Sequence, residues 1–416
     1  MNAILAIPLE LRMAGLVLLG ICLGKFVNWA IYALAWQPRQ ISPWQQRDPT
    51  APPRQWTDFL PIVGWLGLAR ESKIHGAGFW IRPLLLELGC GIGLAALYSW
   101  EIGEHLAPRA GMVRASHTML HEEFASHAIL FVLLLVATFI DFDEKTIPDE
   151  ITIPGTLIGL LFAAVWPASH LPVLSFIAPN VRIAGYGPLL LTSPDLWLPW
   201  LDTWRGAVLG VGIFVVWCLV LIPALCTLRR GWLKGIQFYF ASIARDSAWW
   251  KMLILSAVGT AGILAAWHGG GPRWQALLTS LVGLAVGGLL VWAVRIVGWV
   301  GLHKEAMGFG DVTLLAMIGS FLGWQPCFLI PFFSAFIALA GALTQWVLTG
   351  RREIPFGPYL CLAALLVVVD WVEIWAFANP YFATGLLPAL SAVCLMLMLG
   401  LLMLWRLIEQ AVFTRR

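Results

Sequence analysis

The sequence predicts an all-α fold, a polytopic helical bundle that crosses a membrane about eleven times. Of its 416 residues, 60% are hydrophobic and only 12% are charged, whereas soluble globular proteins carry about 25% charged residues. The apolar residues fall into runs of about 20, the length that one helical crossing of a bilayer requires. The 24 tryptophans are also typical of a membrane protein, because tryptophan collects at membrane interfaces.

Eleven apolar runs are counted as crossings, including the short run 312–325. A re-entrant loop at 312–325 would move the basic C-terminal end to the opposite side, so we count that run as a crossing. Turn-forming residues separate several of the runs. The predicted spans are 13–36, 80–99, 124–140, 151–168, 205–227, 250–267, 277–300, 312–325, 327–348, 356–378 and 384–408.

Lys and Arg residues are concentrated in alternate loops, and this predicts the orientation. The positive-inside rule places the basic loops in the cytoplasm, so the N-terminus is expected outside and the C-terminus in the cytoplasm. These charges mark topology, so we expect contact with membrane lipid and no nucleic-acid partner. The cytoplasmic segments would be 36–79, 142–150, 228–249, 301–311, 349–355 and the C-terminal end.

One stretch, 307–311, places a carboxylate behind two glycines at the edge of an apolar helix. It reads Met-Gly-Phe-Gly-Asp, with glycine at Gly308 and Gly310 and the carboxylate at Asp311. An ionisable group in a membrane segment is costly and indicates a functional site, and glycine permits a close approach of backbone. The alternative is that Asp311 only caps a helix beginning at Val312, since aspartate is a favoured N-cap residue.

A second group of carboxylates follows the predicted span 124–140 directly, at Asp141, Asp143 and Asp149. Membrane helices commonly end in charged residues, and Asp149 also suits the N-cap of the next helix. Asp141 is the exception. An acid at the C-terminal end of a helix opposes the helix dipole, so its position gains nothing locally.

Asp141 and Asp311 are expected at the same face of the membrane, because four predicted crossings separate them. Two carboxyl groups that share a site do not both ionise at low cost, so one is held protonated. Such a pair activates a water with its ionised member and protonates the leaving nitrogen with the other, which is peptide hydrolysis. This chemistry requires no metal or other cofactor.

These stretches resemble the motifs of the prepilin peptidase family, the GxGD-type membrane aspartic proteases that process type IV pilin-like precursors. The resemblance implies that Asp141 and Asp311 are the catalytic pair. The supporting loop residues would be Gly308 and Gly310, and the secondary candidates Asp143 and Asp149. The similar segments are 20–32, 58–66, 82–87, 140–149, 304–311 and 354–360.

The implied substrates are type IV pilin-like or type II secretion pseudopilin precursors, each with a short basic leader before an apolar helix. Cleavage is expected after a glycine, just before that helix, at the cytoplasmic face of the bacterial inner membrane. We divide the chain into N-terminal spans over 1–126, a peptidase domain over 127–378 and a C-terminal span with a basic tail over 379–416. An insertion at about 169–275 adds two spans and has no indicated function.

Two features depart from the family pattern, namely this insertion and the absence of cysteine pairs from the first cytoplasmic loop. Many members carry two Cys-x-x-Cys pairs in the first cytoplasmic loop, but the corresponding segments 41–44 and 70–73 contain no cysteine, so we expect no zinc. The family's second activity, N-methylation of the new N-terminus from S-adenosylmethionine, draws on this loop and is left open. Lys25 stands where related chains usually have a small polar residue, and its role is not indicated.

Three alternatives remain open. One is a metal site with the i, i+4 spacing of a helix, although a polar turn beside the membrane explains the same residues equally well. Its ligands would come from His117, His121, Glu122, Glu123 and His127. The second is a GxGD protease that acts on other membrane substrates. The third is a transporter that uses the aspartates as a proton or cation site, but the paired broken helices typical of transporters are not evident.

Overall fold

The computed structural model describes residues 7–104, 112–113, 116–178, 181–222, 249–302, 307–349 and 355–413. In these residues seven helices are long and apolar enough to cross a membrane, or eight if one bent pair counts as a single span. The prediction of a polytopic α-helical protein is confirmed, whereas the number eleven and the orientation of the termini stay predictions. Most of the predicted segment 228–249, and parts of 301–311, 349–355 and the C-terminal end, lie outside the described residues.

The N-terminal part consists of two long helices joined by a compact loop. Helix α1 spans Leu9–Ala33, and the loop contains the short helices α2 (Val63–Leu68) and α3 (Ser72–His75). Helix α4 spans Ile81–Ser99 and continues into a π-helical turn at Trp100–Glu104. This part supplies the surface against which the peptidase half packs.

Lys25 fixes the loop to α1. Its side chain is buried, and Nζ donates to the carbonyl oxygens of Asp58 at 3.1 Å and Leu60 at 2.9 Å. The backbone N–H of Ile62 in the same loop donates to the Glu87 carboxylate on α4. A buried ammonium requires such partners, so Lys25 serves to hold the loop between the two helices.

The rest of the described chain is mostly helical and includes one small sheet. The helices are α5 (His117–Glu144), α6 (Asp149–Val165), α7 (Trp204–Val220), α8 (Trp249–Gly269), α9 (Gly271–Leu302), α10 (Phe309–Leu322), α11 (Trp324–Thr349), α12 (Gly357–Val369), α13 (Trp371–Ala383) and α14 (Leu386–Phe413). The strands are β1 (Met112–Val113), β2 (Pro172–Ala178) and β3 (Val181–Pro188), in the order β1-β3-β2. β3 pairs parallel with β1 and antiparallel with β2. The sheet is a small addition to a fold that fits the predicted all-α class.

Helix α10, which carries Asp311, is enclosed by the other helices. It has 14 residues, fewer than a full crossing requires, and every residue from Asp311 to Leu322 is buried. Helix α9 packs on it backbone to backbone, because a Cβ on Gly283 would lie only 2.0 Å from the carbonyl oxygen of Gly319. Such contacts through small residues are typical of membrane helices, and they hold α10 in the centre.

The predicted span 356–378 is bent rather than straight. Helices α12 and α13 meet at an angle of 92°, with Asp370 between them. The indole N–H of Trp371 in α13 donates to the carbonyl oxygen of Pro172 at 2.9 Å, so α13 packs beside β2. The prediction of one continuous helix is therefore corrected to a bent pair.

Candidate active site

Asp141 lies in the last turn of α5, and its side chain is buried, with 5% of its surface exposed. The helix ends because Lys145 adopts the left-handed conformation (φ 56°, ψ 35°), and the Lys145 N–H donates to the Asp141 carbonyl oxygen at 2.9 Å. The backbone N–H of Gly357, the first residue of α12, donates to Oδ2 of Asp141 at 3.0 Å. The carboxylate therefore points towards the start of α12.

Asp311 lies in the first turn of α10. This helix begins at Phe309 with Gly308 as its N-cap, so the alternative that Asp311 caps a helix beginning at Val312 is wrong. The Asp311 carboxylate accepts a hydrogen bond from the backbone N–H of Gly308. A negative charge in the first turn is favoured by the helix dipole, so the side chain is stabilised locally as well as being buried, with 8% exposed.

The two aspartates lie close together. The charge of Asp141 acts on Asp311, and both carboxylates act on the Cys361 thiol, one turn into α12. The starts of α10 and α12 and the end of α5 therefore meet at one point. The structure brings together the two aspartates that the crossing count placed at the same membrane face.

Two glycines permit this close approach. A Cβ on Gly310 would lie 2.9 Å from Cβ of Ile147, and a Cβ on Gly357 would lie 2.6 Å from Oδ2 of Asp141. Gly308 differs, since the nearest side-chain atom to its added Cβ would be 3.6 Å away, and its contribution is its N–H. Sequence reasoning gave Gly357 no role. The signal was a glycine between phenylalanine and proline in a segment that resembles the family.

Asp143 faces away from the pair and forms a salt bridge. Its carboxylate oxygens accept hydrogen bonds from the two terminal nitrogens of Arg82 at 2.7 and 2.8 Å, and Arg39 lies 3.8 Å away. This two-point contact joins the end of α5 to the start of α4. Asp143 therefore has a structural role in this salt bridge.

Asp149 is the first residue of α6 and is exposed. The N-cap of this helix is Pro148, and no side chain caps it, so the predicted N-cap role of Asp149 is wrong. As a carboxylate in the first turn it is still favoured by the helix dipole. Asp149 follows by two residues Ile147, whose side chain lies against Gly310 and Gly357.

Ion pairs hold the first loop, where many family members carry Cys-x-x-Cys pairs. Asp58 is buried and accepts hydrogen bonds from both terminal nitrogens of Arg70. Burial raises the pKa of Asp58, but the hydrogen bonds from Arg70 and from the N–H of Gln55 lower it more, so the pKa lies below its ordinary value. Glu71 lies 3.4 Å from Arg54.

Among the described residues no group of three or more His, Cys, Asp or Glu side chains could hold a metal ion.

The predicted metal ligands on α5 do not converge. His121 lies 3.2 Å from the Tyr98 hydroxyl. On the inward side, Nδ1 of His127 lies 2.6 Å from Oε1 of Glu101, and the charge of Glu101 acts on the buried Glu123. The helix therefore turns these residues in different directions, and the inward ones form a buried cluster with Glu101, which sequence reasoning did not include.

The sequence of this chain is similar to that of a protease family. The profile of the type IV leader peptidase family matches residues 128–235 and 246–343. Asp141 lies in the first matched segment and Asp311 in the second. The similarity therefore includes both helices, α5 and α10, that bring the carboxylates together.

Curated relatives carry related names. The prepilin leader peptidase/N-methyltransferase of Myxococcus xanthus is 23% identical over 381 residues, which are 86% of this chain and 90% of that protein. The protein of the same name from Pseudomonas putida is 35% identical over 109 residues, 25% of this chain and 37% of the relative. The type 4 prepilin-like proteins leader peptide-processing enzyme of Escherichia coli is 30% identical over 156 residues, 36% of this chain and 56% of the relative. The match thus spans only part of the last two relatives, and no solved structure matches this chain.

Proposed function

We propose, since this chain belongs to the type IV leader peptidase family, that it is an aspartic endopeptidase of the bacterial inner membrane. Its substrates are type IV pilin-like or type II secretion pseudopilin precursors, from which it removes the short basic leader at the cytoplasmic face. The observation that carries the proposal is the meeting of two buried carboxylates, Asp141 and Asp311, at the adjoining ends of α5 and α10.

The pair supplies both a base and an acid. Two carboxyl groups in one site favour a single shared proton, so one member accepts a proton from water while the other donates one. The water oxygen attacks the carbonyl carbon of the scissile peptide bond, the leaving nitrogen receives a proton, and the C–N bond breaks. Because the protons titrate as a property of the pair, we assign these roles to Asp141 and Asp311 jointly.

The position of the pair suits a bond at the start of an apolar helix. The first N–H groups of a helix have no partners within the helix, so its first turn unwinds more readily than its middle. Residues 145–148 between α5 and α6 and residues 307–308 before α10 are not helical, and glycines lie beside the pair at Gly308, Gly310 and Gly357. With the N-terminus outside and the C-terminus in the cytoplasm, the pair lies at the cytoplasmic edge of the peptidase part, 127–378.

Methylation of the new N-terminus is a separate question. The printed names of the Myxococcus xanthus and Pseudomonas putida relatives include N-methyltransferase, and the name of the Escherichia coli relative does not. If this chain has the second activity, S-adenosylmethionine supplies the methyl group. Mass spectrometry of the processed precursor distinguishes a free N-terminal amine from a methylated one.

The proposal is tested by co-expressing the protein with a prepilin from the same genome and following the precursor on a gel. Asp141→Asn and Asp311→Asn keep the size of each side chain but remove the ionisable group, so each is expected to lower the cleavage rate at least about 100-fold. Asp149→Asn, a nearby exposed carboxylate outside the pair, is the matched control and is expected to cleave as the wild type does.

Two results would contradict the proposal. If the wild type leaves several such precursors intact, this is not a leader peptidase, and proton-dependent transport becomes the hypothesis to test. If cleavage survives in Asp141→Asn but is lost in Asp143→Asn, the wrong carboxylate has been assigned.

A further inference from the structure

A large apolar groove lies between α9, α11, α13 and α14. Its volume is about 850 Å³, near the upper end of the range for ligand pockets. Apart from Glu373, Ser391 and Tyr381, its lining side chains are hydrocarbon or sulfur-containing. Several are large and open to it, such as Phe332 (58% exposed) and Phe377 (73% exposed).

One end of the groove begins beside the aspartate pair. Met307 and Phe356 line the groove, and each directly precedes a glycine that contacts the pair. The N–H of Gly308 donates to Asp311, and the N–H of Gly357 donates to Asp141. A substrate peptide that extends from the carboxylates along Met307 and Phe356 therefore enters the groove within one residue.

The other end of the groove lies at α13, where Phe377 and Tyr381 line it. The 13 residues of α12 separate Gly357 from α13, a distance of ~20 Å at 1.5 Å per residue. The hydrocarbon core of a bilayer is about 30 Å thick. The groove thus runs along most of a crossing, which is the shape that a helix requires.

One wall of the groove is α14, which contacts α9 where Leu402 lies against Gly301. No residue in the most apolar window of α14 is buried. The groove-lining residues of α14 include Leu387, Leu390, Cys394 and Met398, spaced three or four apart along one helix face. Helices associate in lipid through packing of such faces rather than through hydrophobicity itself, so this face is available to a further helix.

We propose that this groove binds the apolar helix of the precursor, with its first residues at Met307 and Phe356 and the scissile bond at the aspartate pair. The proposal rests on the proposed function and adds to it the surface that selects the substrate. A precursor is then recognised by how its helix packs against α11, α13 and α14, while its leader lies outside the groove.

Two native cysteines provide the test. Cys394 is exposed in the groove, and Cys22 is also exposed, on α1 away from the groove. Cys90, Cys218, Cys327 and Cys361 are buried. Cys226 lies outside the described residues and is replaced by serine throughout. The full chain carrying Asp311→Asn retains uncleaved precursor, and precursors with single cysteines along the apolar helix are oxidised with it in membranes.

Disulfide formation with Cys394 is expected at precursor positions spaced three or four residues apart, and Cys394→Ser is expected to abolish it. Cys22 is expected to form none. Equal cross-linking to both cysteines would contradict the proposed binding of the precursor in the groove. So would the absence of cross-linking at Cys394 if the wild type cleaves the same precursors. Neither result would contradict the proposed peptidase function. Enzyme dimers joined through Cys394 without precursor would assign the groove to a second copy. Failure of the wild type to cleave would overturn both proposals.

Two methionines on α14 give a kinetic test. Met398 lines the groove, whereas Met396 lies on the opposite side of the helix and is 74% exposed. Met398→Trp fills the groove, and the usual cost of overpacking predicts a KM raised about tenfold with kcat unchanged. Met396→Trp is expected to change neither constant. An unchanged KM in Met398→Trp contradicts the proposal.

Discussion

A pair of buried carboxyl groups lies near each end of α5, and the two pairs differ in their surroundings. At one end Asp141 and Asp311 are 5% and 8% exposed, and at the other Glu101 and Glu123 are 6% and 4% exposed. In both pairs the charge of one member acts on the other. Burial and mutual repulsion therefore do not distinguish the pair that we propose to be catalytic.

The neighbouring groups do distinguish the two pairs. Asp141 receives its hydrogen bond from a backbone N–H at a glycine, whereas Glu101 is paired with the ring of His127 at 2.6 Å. Two tryptophans and both glutamates line a cavity of about 20 Å³, which is room for about one water. The first pair is bonded by the N–H groups of two glycines, and the second is closed in by side chains. Glycine N–H groups that bond both carboxylates thus distinguish the pair that we propose to be catalytic.

The largest effect on cleavage in this comparison is expected when a single methyl group is added beside the first pair. In Gly357→Ala the new Cβ would lie 2.6 Å from Oδ2 of Asp141, so either the carboxylate or α12 must shift. Displacement of a reacting group by about 1 Å can lower a rate about 100-fold, and we expect a loss of that size in precursor cleavage. The rate is measured on purified enzyme at equal folded concentration.

Gly89→Ala is the matched control for this change. Gly89 is also helical, and a Cβ there would meet nothing within 4 Å. We expect normal cleavage and an unchanged or slightly higher Tm, since alanine favours helix over glycine. Equal losses in both variants would mean that the glycine at 357 serves only the fold.

A smaller effect, on stability rather than on the reaction, is expected at the second pair. His127→Ala leaves Glu101 buried without its partner, which costs about 1–3 kcal/mol in the free energy of unfolding. Cleavage per folded molecule should stay near the wild-type value. His121→Ala, on the same helix but beside Tyr98, is the control and should lower the stability less. Thermal unfolding in detergent measures both, and a cleavage loss in His127→Ala with normal Tm would give this cluster a part in the reaction.

The sequence predicted the first pair and missed the second for a physical reason. Asp141 and Asp311 each lie next to a predicted apolar span, where a carboxylate is costly and conspicuous. Glu101 lies in a π-helical turn after α4, and its contact with His127 bridges two helices, which no local periodicity indicates. The spacing of residues along α5 suggested a metal site, but closeness in sequence did not show that their side chains face different neighbours.

Contacts between distant segments also limited the prediction of the membrane spans. Length and hydropathy predicted the seven long helices, because each crossing must form all its backbone hydrogen bonds within its own helix. They did not predict the 92° bend between α12 and α13, and the contact of Trp371 with Pro172 joins segments about 200 residues apart, which no local pattern indicates. Nor did they give Gly357 a role, because the need for glycine there comes from Asp141 on a distant helix.

The smallest effect is expected at Asp143, which sequence alone could not separate from Asp141. Its salt bridge to Arg82 has two short contacts, but the two side chains are 20% and 36% exposed, so solvent screens the interaction. Asp143→Asn should therefore lower stability by about 1 kcal/mol or less and leave cleavage nearly unchanged. Arg82→Gln also removes the contacts of Arg82 with the rings of Tyr32 and Phe139, so it should lower stability somewhat more. The double variant should lose less than the sum of the two single losses, since both remove the shared salt bridge. A cleavage loss in Asp143→Asn as large as that in Asp141→Asn, without loss of stability, would mean that this carboxylate turns from Arg82 towards the substrate when the precursor binds.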